Sequence, residues 1–325
     1  MNDKLVTIVV NCYNRADMVC TALDSVWNQT YRPIELIIVD DGSRDNSMEV
    51  IERWCKEHPD NDGFTTVAKT FSNGKLCVAR NRGLAMAHGE YLQYVDDDDW
   101  LYPNAIEEKL LYAQKNPEKD LIVNQLDYLR NGSIINHTRI TLPEHDENLI
   151  AWLLDHECLI SPVLMFKTET LRRIGAWKEG LIFADDMEIT LRLAILGGKF
   201  GIVNQHLSGY RIHNQARQCT TIRDRLSDDF CAKLYGTLFE LCKNKKQDSE
   251  IVRNAFLEHY NYDAEEFIRV GRFNAAKQCI LAKKSIGERL TFKDRLSLSF
   301  LGKIRWILIS FFWKIRQHLK RLIKK

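Results

Sequence analysis

Apolar residues along the first hundred positions switch repeatedly between two spacings. A continuous run at 6–10 is followed by Met18, Val19, Ala22, Leu23, Val26 and Trp27 at helical spacing, then by a second run, Leu36-Ile37-Ile38-Val39. Continuous runs suit strands buried on both faces, and the three-to-four spacing suits a helix with one buried side, so 6–39 reads as a βαβ unit. A further helix is expected with Ser43 or Asp45 as N-cap and Met48, Ile51, Trp54 and Cys55 on one face, then a strand over 64–68. Residues 78–88 read as a helix closed by Gly89, 91–95 as a strand, and Pro103 as the first turn of the next helix. Strands joined by helical crossovers predict an α/β fold, a mixed but mostly parallel sheet flanked by helices. Ligands of such sheets bind beyond the strands' carboxyl ends, where Val10, Val39 and Val95 stand.

Beyond about residue 120 the pattern becomes mixed. Residues 121–129 and 163–166 read as strands, 148–155 as a short helix and 186–196 as a strong one, a second half that completes the site. From 221 to about 287 only helices are expected, with a turn at Gly271-Arg272-Phe273 and a packed accessory bundle as their role. The chain thus divides into 1–100, 101–220, a helical region 221–290 and a tail 291–325.

Composition narrows the class. With 325 residues and 45% apolar content the chain can bury a large core. Its nine cysteines, an odd number without a Cys-x-x-Cys pair, argue against a disulfide framework or thiolate zinc site and point to a reducing, cytoplasmic compartment. The apolar run at 5–10 is too short for a signal peptide. The net charge of +2 hides an asymmetry: 291–325 carries ten Lys/Arg against one Asp, a local +9 that leaves about −7 for the rest. The body is therefore a poor nucleic-acid binder, and no nucleic-acid partner is expected. In the tail, Ile304, Trp306, Ile307, Leu308, Ile309, Phe311, Phe312, Trp313 and Ile315 are interleaved with cations, and the apolar stretch falls short of the ~20 residues of a membrane span. That pattern fits an interfacial helix on an anionic membrane surface; the alternative is a last helix docked on the bundle.

Three acidic clusters carry the candidate chemistry. Asp40-Asp41-Gly42-Ser43 follows an apolar strand, where carboxylates can orient a ligand's donors or simply form a strand-to-helix turn. Asp96-Asp97-Asp98-Asp99-Trp100 follows another; four adjacent carboxylates repel unless solvated or compensated by a cation, and hard oxygen donors suit Mg²⁺ or Mn²⁺. Asp185-Asp186 opens a helix, where carboxylates serve as dipole partners or, beside a phosphate site, as a general base.

Val10-Asn11-Cys12-Tyr13-Asn14-Arg15, Ile38-Val39-Asp40-Asp41-Gly42-Ser43, Ala79-Arg80-Asn81-Arg82-Gly83, Gly89-Glu90-Tyr91 and the Asp96-to-Trp100 run resemble the family-2 glycosyltransferases of the GT-A fold, in order and at similar spacing. So does Ala22-Leu23-Asp24-Ser25-Val26-Trp27-Asn28-Gln29-Thr30-Tyr31, and the likeness continues through Gly175-Ala176-Trp177, Asp185-Asp186, Leu191-Arg192-Leu193-Ala194 and Tyr210-Arg211-Ile212-His213. The resemblance implies a nucleotide-sugar donor, usually UDP-linked, a hydroxyl acceptor and inversion at the anomeric carbon. It places Tyr13 and Asp41 at the nucleobase, with Asp40 and Arg80 lining the same region. It makes Asp98 the direct metal ligand, Asp96 a ribose or metal contact, His213 a diphosphate or metal contact, and Asp186 the catalytic base. The metal would be Mn²⁺ or Mg²⁺.

The chain departs from its relatives in carrying Asn11-Cys12 where they often have Pro-Thr, and Asp185 where they often have Glu. Its Arg305-Trp306 lacks the preceding Gln of processive synthases, so one sugar per encounter is expected. A membrane-seeking tail suggests a glycan or lipid-linked acceptor, as in surface-polysaccharide assembly, and a location on the inner face of the cell membrane. Two rivals stand beside this reading. A sugar nucleotidyltransferase would want a Gly-rich phosphate loop where Asn11 to Arg15 stand; a non-catalytic glycan-binding scaffold would have no need of all three acidic clusters.

Overall fold

The computed structural model describes residues 4–155, 159–213, 226–299, 306–307 and 309–310. The chain divides into two compact units, Met1–Asp146 with Cys158–Thr220, and Glu147–Glu157 with Thr221–Lys325.

The first unit follows the alternating pattern. Strands β1 (Val6–Cys12), β2 (Ile34–Asp40), β3 (Phe64–Thr70) and β4 (Tyr91–Asp96) alternate with helices α1 (Val19–Trp27), α2 (Ser47–Glu57) and α3 (Leu76–Met86). After β4 come β5 (Trp100–Leu101), α4 (Ala105–Lys115), β6 (Leu121–Arg130) and β7 (Ser133–His137); α5 (Leu149–Asp155) belongs to the second unit; β8 (Met165–Lys167), α6 (Thr168–Arg173), α7 (Asp185–Ile195) and β9 (Phe200–Arg211) complete the first. The nine strands form one sheet in the order β3-β2-β1-β4-β8-β6-β9-β5, with β7 on β6. β3, β2, β1 and β4 run parallel, as do β6 and β9, while β8 joins the two halves antiparallel to both β4 and β6. Every residue of β1 and β2 is buried, which is why apolar residues dominate both, and the polar ones are held internally, Thr7 Oγ1 donating to Glu35 at 2.5 Å. Val19, Ala22, Leu23 and Val26 form the buried stripe of α1. Register pairs Cys12 with Asp40 and Asn11 with Asp96, so the acidic ends of β2 and β4 flank the end of β1.

Several element boundaries differ from expectation, each for a local reason. α3 stops at Met86, and Gly89 is not its cap. Gly89 donates its N–H to Thr7 Oγ1 at 2.9 Å, and a Cβ there would stand 2.4 Å from the Thr7 nitrogen, so close approach to β1 demands glycine. α2 begins at Ser47 with Asn46 at its cap position. Ser43 and Asp45 are drawn into bonds with the loop after β1: Ser43 Oγ accepts from Asn14 N at 2.9 Å and Asp45 Oδ2 from Ala16 N at 3.3 Å. Pro103 lies just ahead of α4, and its carbonyl accepts from Thr30 N at 2.8 Å.

The second unit comprises α8 (Phe230–Asn244), α9 (Glu250–Val270), α10 (Phe273–Ala282) and α11 (Phe292–Leu298) together with α5, on which α9 packs. Ser249 caps α9, accepting from Val252 N, and Gly271 closes it at φ 85°, which leaves the expected turn before α10. His259 Nδ1 lies 2.9 Å from the Leu154 carbonyl and ties α9 to α5, a long-range bond that sequence order could not reveal. Trp306, at the start of the basic tail, is buried beside Phe273, ring centroids 6.1 Å apart. Residues 311–325, which carry most of the tail's cations, lie outside the described residues. Among the described residues the cysteines are free, and no helix is long and apolar enough to cross a membrane.

Candidate active site

The loops after β1 and β2 are stitched together at the carboxyl end of the sheet. Asn14, in the left-handed region at φ 55°, accepts from Arg44 N at 2.7 Å through Oδ1, and Arg15 N donates to Ser47 Oγ at 2.9 Å. The stitching holds Tyr13 at the surface, 42% exposed, with its N–H donating to Asp97 Oδ2 at 3.0 Å. Asp40 is buried and its carboxylate accepts from Ser43 N at 3.2 Å. Asp41 is buried as well, and accepts from Gly74 N at 2.8 Å, Lys75 N at 2.9 Å and Arg82 at 2.9 Å. Three of its roughly four acceptor positions are therefore committed to the loop after β3 and to α3.

Arg80 is the centre of the arrangement. Its side chain is 1% exposed, and its guanidinium donates to Asp185 Oδ2 at 2.6 Å, Asp186 Oδ1 at 3.1 Å and Asp96 at 3.2 Å. The Trp177 ring lies 4.2 Å from the guanidinium and that of Tyr94 5.8 Å, so the cation is walled by aromatic faces as well as by carboxylates. Arg80 and Arg82, two apart on α3, diverge on the helix surface. Arg82 takes Asp41, and Arg80 joins the end of β4 to the start of α7, away from the Asp41 carboxylate.

The three aspartates that follow Asp96 at the end of β4 have separate surroundings. Asp98 Oδ2 lies 2.9 Å from His213 Nε2. Asp99 is buried and Oδ1 accepts from Arg211 N at 3.0 Å, while Arg15 Nε stands 3.6 Å from Asp97. Trp100 lies flat on Gly209, where a Cβ would come within 2.2 Å of the indole. The end of β9 thereby delivers Arg211 and His213 to the acidic run.

Burial dominates the electrostatics. It pushes the Asp186 carboxyl up to about 8, with Asp185 and Asp96 adding to the rise and Arg80 opposing it. Asp96 is raised by burial and by Asp98, against the pull of Arg80, and Asp97 is raised well above the usual carboxylate range by burial and Asp98. Acid thus exceeds base at this end of the sheet. The structure brings together Asp98 and His213 of the expected metal-binding residues, while the Asp96 carboxylate is held by Arg80; carboxylate oxygens are the donors that suit Mn²⁺ or Mg²⁺.

The structure therefore brings Asp96, Asp185 and Asp186 to Arg80, His213 to Asp98, and Tyr13 to Asp97, and turns Asp41 toward its own loop. Sequence reading missed the Arg80 hub, since its partners lie 16, 105 and 106 residues away. The signal available was an arginine among the apolar positions of α3.

Residues 7–175, just over half the chain, match the model of the family "Glycosyl transferase family 2". An uncharacterised glycosyltransferase of Methanocaldococcus jannaschii is 27% identical over 250 residues, 76% of this chain and 82% of that one. Among solved structures, Staphylococcus aureus TarS 1–349 in complex with UDP-GlcNAc superposes with a TM-score of 0.70 at 15% identity, covering 97% of this chain and 91% of that one. The mannosyltransferase PcManGT of Pyrobaculum calidifontis, in complex with GDP-Man and Mn²⁺, gives 0.50 at 17% identity over 98% and 87%. The fold is the GT-A type, and this chain belongs to glycosyltransferase family 2.

Proposed function

We propose that the chain moves one sugar from a nucleotide sugar, with UDP as the nucleotide, to an acceptor hydroxyl with inversion at the anomeric carbon. The observation that carries this reading is Arg80, which gathers Asp96 from the end of β4 and Asp185 and Asp186 from α7 around one buried guanidinium. UDP-GlcNAc in the TarS structure and GDP-Man with Mn²⁺ in PcManGT support a nucleotide-sugar donor.

In this reading the ionised Asp186 carboxylate takes the proton of the acceptor hydroxyl as its oxygen attacks the anomeric carbon, and Arg80 holds that carboxylate in place. Tyr13, 42% exposed beside the acidic run, offers its ring to the nucleobase, and Asp41 orients the base edge directly or through the loop it fixes. A divalent ion, when held by Asp98, Asp96 and His213, would supply positive charge for the departing diphosphate. Residues 1–100 then form the donor half and the rest of the first unit the acceptor half. The basic tail favours a lipid-linked or surface-polysaccharide acceptor and a peripheral place on the inner face of the membrane.

A thermal-shift screen of nucleotide sugars with and without Mn²⁺, repeated on Asp98→Ala, tests this. The expected result is a UDP-sugar stabilisation that needs both the metal and Asp98. No response to any nucleotide sugar would return the chain to a non-catalytic scaffold.

A further inference from the structure

Among the described residues, a second cluster gathers metal-ligating side chains that take no part in the Arg80 and Asp98 contacts. Asp127 on β6, His137 on β7 and His206 on β9 bring one ligand atom each within 4.8 Å of one another. Asp127 faces His137 across the β6–β7 ladder, and β9 runs parallel to β6 on its other side, so sheet register sets the three together. Both imidazoles aim the same nitrogen at the same oxygen: His137 Nδ1 lies 2.8 Å and His206 Nδ1 2.6 Å from Asp127 Oδ1. The second carboxylate oxygen accepts from the Tyr102 hydroxyl at 2.8 Å, which fixes its orientation. The Asp127 side chain is 5% exposed, whereas His137 and His206 are 58% and 40% exposed.

Two imidazole nitrogens and one carboxylate oxygen are the donor set of a three-ligand zinc site, whose bonds of about 2.0–2.2 Å place the ligand atoms a little over 3 Å apart. Small side-chain rotations from the present spacing reach that geometry, with each neutral imidazole carrying its one proton on the solvent-facing Nε2 so that Nδ1 presents its lone pair to the metal. A buried carboxylate held by an outer tyrosine resembles the supporting bonds that orient metal ligands generally. The exposed side leaves the fourth position open to water. All five residues of β7 are exposed, and β6 is its sheet neighbour, so a bridge to β9 would fasten an otherwise thinly held edge.

We propose that Asp127, His137 and His206 bind a divalent transition-metal ion, zinc(II) being the best match, at a site separate from the acidic run after β4, and that the ion clips β7 to β6 and β9. The experiment is titration of the full chain with Co²⁺ as a spectroscopic stand-in for zinc, alongside Zn²⁺ thermal shift. Wild type should show a tetrahedral Co²⁺ absorption band displaced by Zn²⁺. Zn²⁺ at about 100 times its Kd should raise the melting midpoint of the first unit by roughly 5–10 °C. His137→Gln and His206→Gln, at half-exposed positions that tolerate the change, should each weaken binding at least tenfold; Tyr102→Phe should weaken it less, and Asp98→Ala should retain the band. A wild type without the band, histidine variants that bind as wild type does, or loss of the band in Asp98→Ala would overturn the assignment. None of these readouts depends on sugar transfer, so the site stands or falls apart from the proposed activity.

Discussion

Replacing Arg80 by Met tests the hub at the centre of the site. Methionine retains much of the buried volume and removes the charge and the forked donors, leaving Asp96, Asp185 and Asp186 facing one another. Breaking a buried pair by deleting one partner costs about 3–5 kcal/mol. Here the carboxylates keep 17–30% side-chain exposure, and water can relieve part of that, so about 2–3 kcal/mol is expected. For a unit of this size that is a fall in melting midpoint of roughly 4–12 °C. The sign with pH follows from the carboxylates. Arg80 stabilises only their ionised forms, so the deficit of the variant should be largest near pH 8 and shrink as the pH falls toward 5. Activity should respond in the same sense. With Asp186 raised to about 8 even beside Arg80, loss of the guanidinium raises it further and leaves less base ionised at neutral pH. Each further pKa unit costs about tenfold in ionised base. Calorimetry across pH 5 to 8 and kcat/KM across pH 6 to 10 measure both effects, with Arg80→Lys as the variant that keeps the charge but loses the fork. A variant that melts within 1–2 °C of wild type at pH 8, with an unshifted rate profile, would refute the reasoning.

Other expectations are more local. In wild type, kcat/KM should climb with pH through the ionisation of Asp186 toward about 8, and the limb should disappear in Asp186→Asn. The same raised carboxyl acts on stability in the opposite direction: its contribution is complete below the unfolded value near 4 and is lost as pH rises through about 8, which denaturation of wild type and Asp186→Asn at pH 5 and 9 would reveal. Gly209→Ala pushes a Cβ to within 2.2 Å of the Trp100 indole and should cost about 1–3 kcal/mol, with a drop in activity because Trp100 ends the acidic run; urea midpoints and turnover measure the two. Asp41→Asn weakens the three bonds that hold Gly74, Lys75 and Arg82 and should raise the KM for the nucleotide sugar more than it lowers kcat, as steady-state kinetics would show. Removing residues 311–325 should leave turnover of a soluble acceptor intact and abolish sedimentation with anionic vesicles; persistent sedimentation would locate the membrane contact elsewhere.

How much was legible in the sequence depends on the range over which each feature is decided. Burial on both faces writes β1, β2 and β4 as apolar runs, and strand ends in a parallel sheet point to the acidic motifs, so strands and motifs were readable together. Helix ends were not, because they turn on single contacts: Gly89 resembles a cap but is glycine for its approach to Thr7, and Asp45 serves the β1 loop as well as α2. The assignment of α5 to the helical unit follows from packing, which a linear reading of 101–220 as one half could not reveal. Arg80 was singled out, but its partners were not legible, since nothing local says that Arg82 turns toward Asp41 while Arg80 turns toward Asp96, Asp185 and Asp186. The Asp127, His137 and His206 cluster left no spacing signal at all, its members meeting through the pairing of three strands.

The most direct measurement compares wild type with Asp186→Asn for donor binding and transfer in the presence of Mn²⁺, using the UDP-sugar found by the thermal-shift screen. Calorimetric affinity for that donor should change by less than about threefold, because the amide replaces a group that acts on the acceptor, while turnover should fall by about 10²–10⁴. Wild-type turnover in Asp186→Asn, or loss of donor binding together with turnover, would contradict the account of one site in which the acidic run holds the donor and Asp186 serves the acceptor.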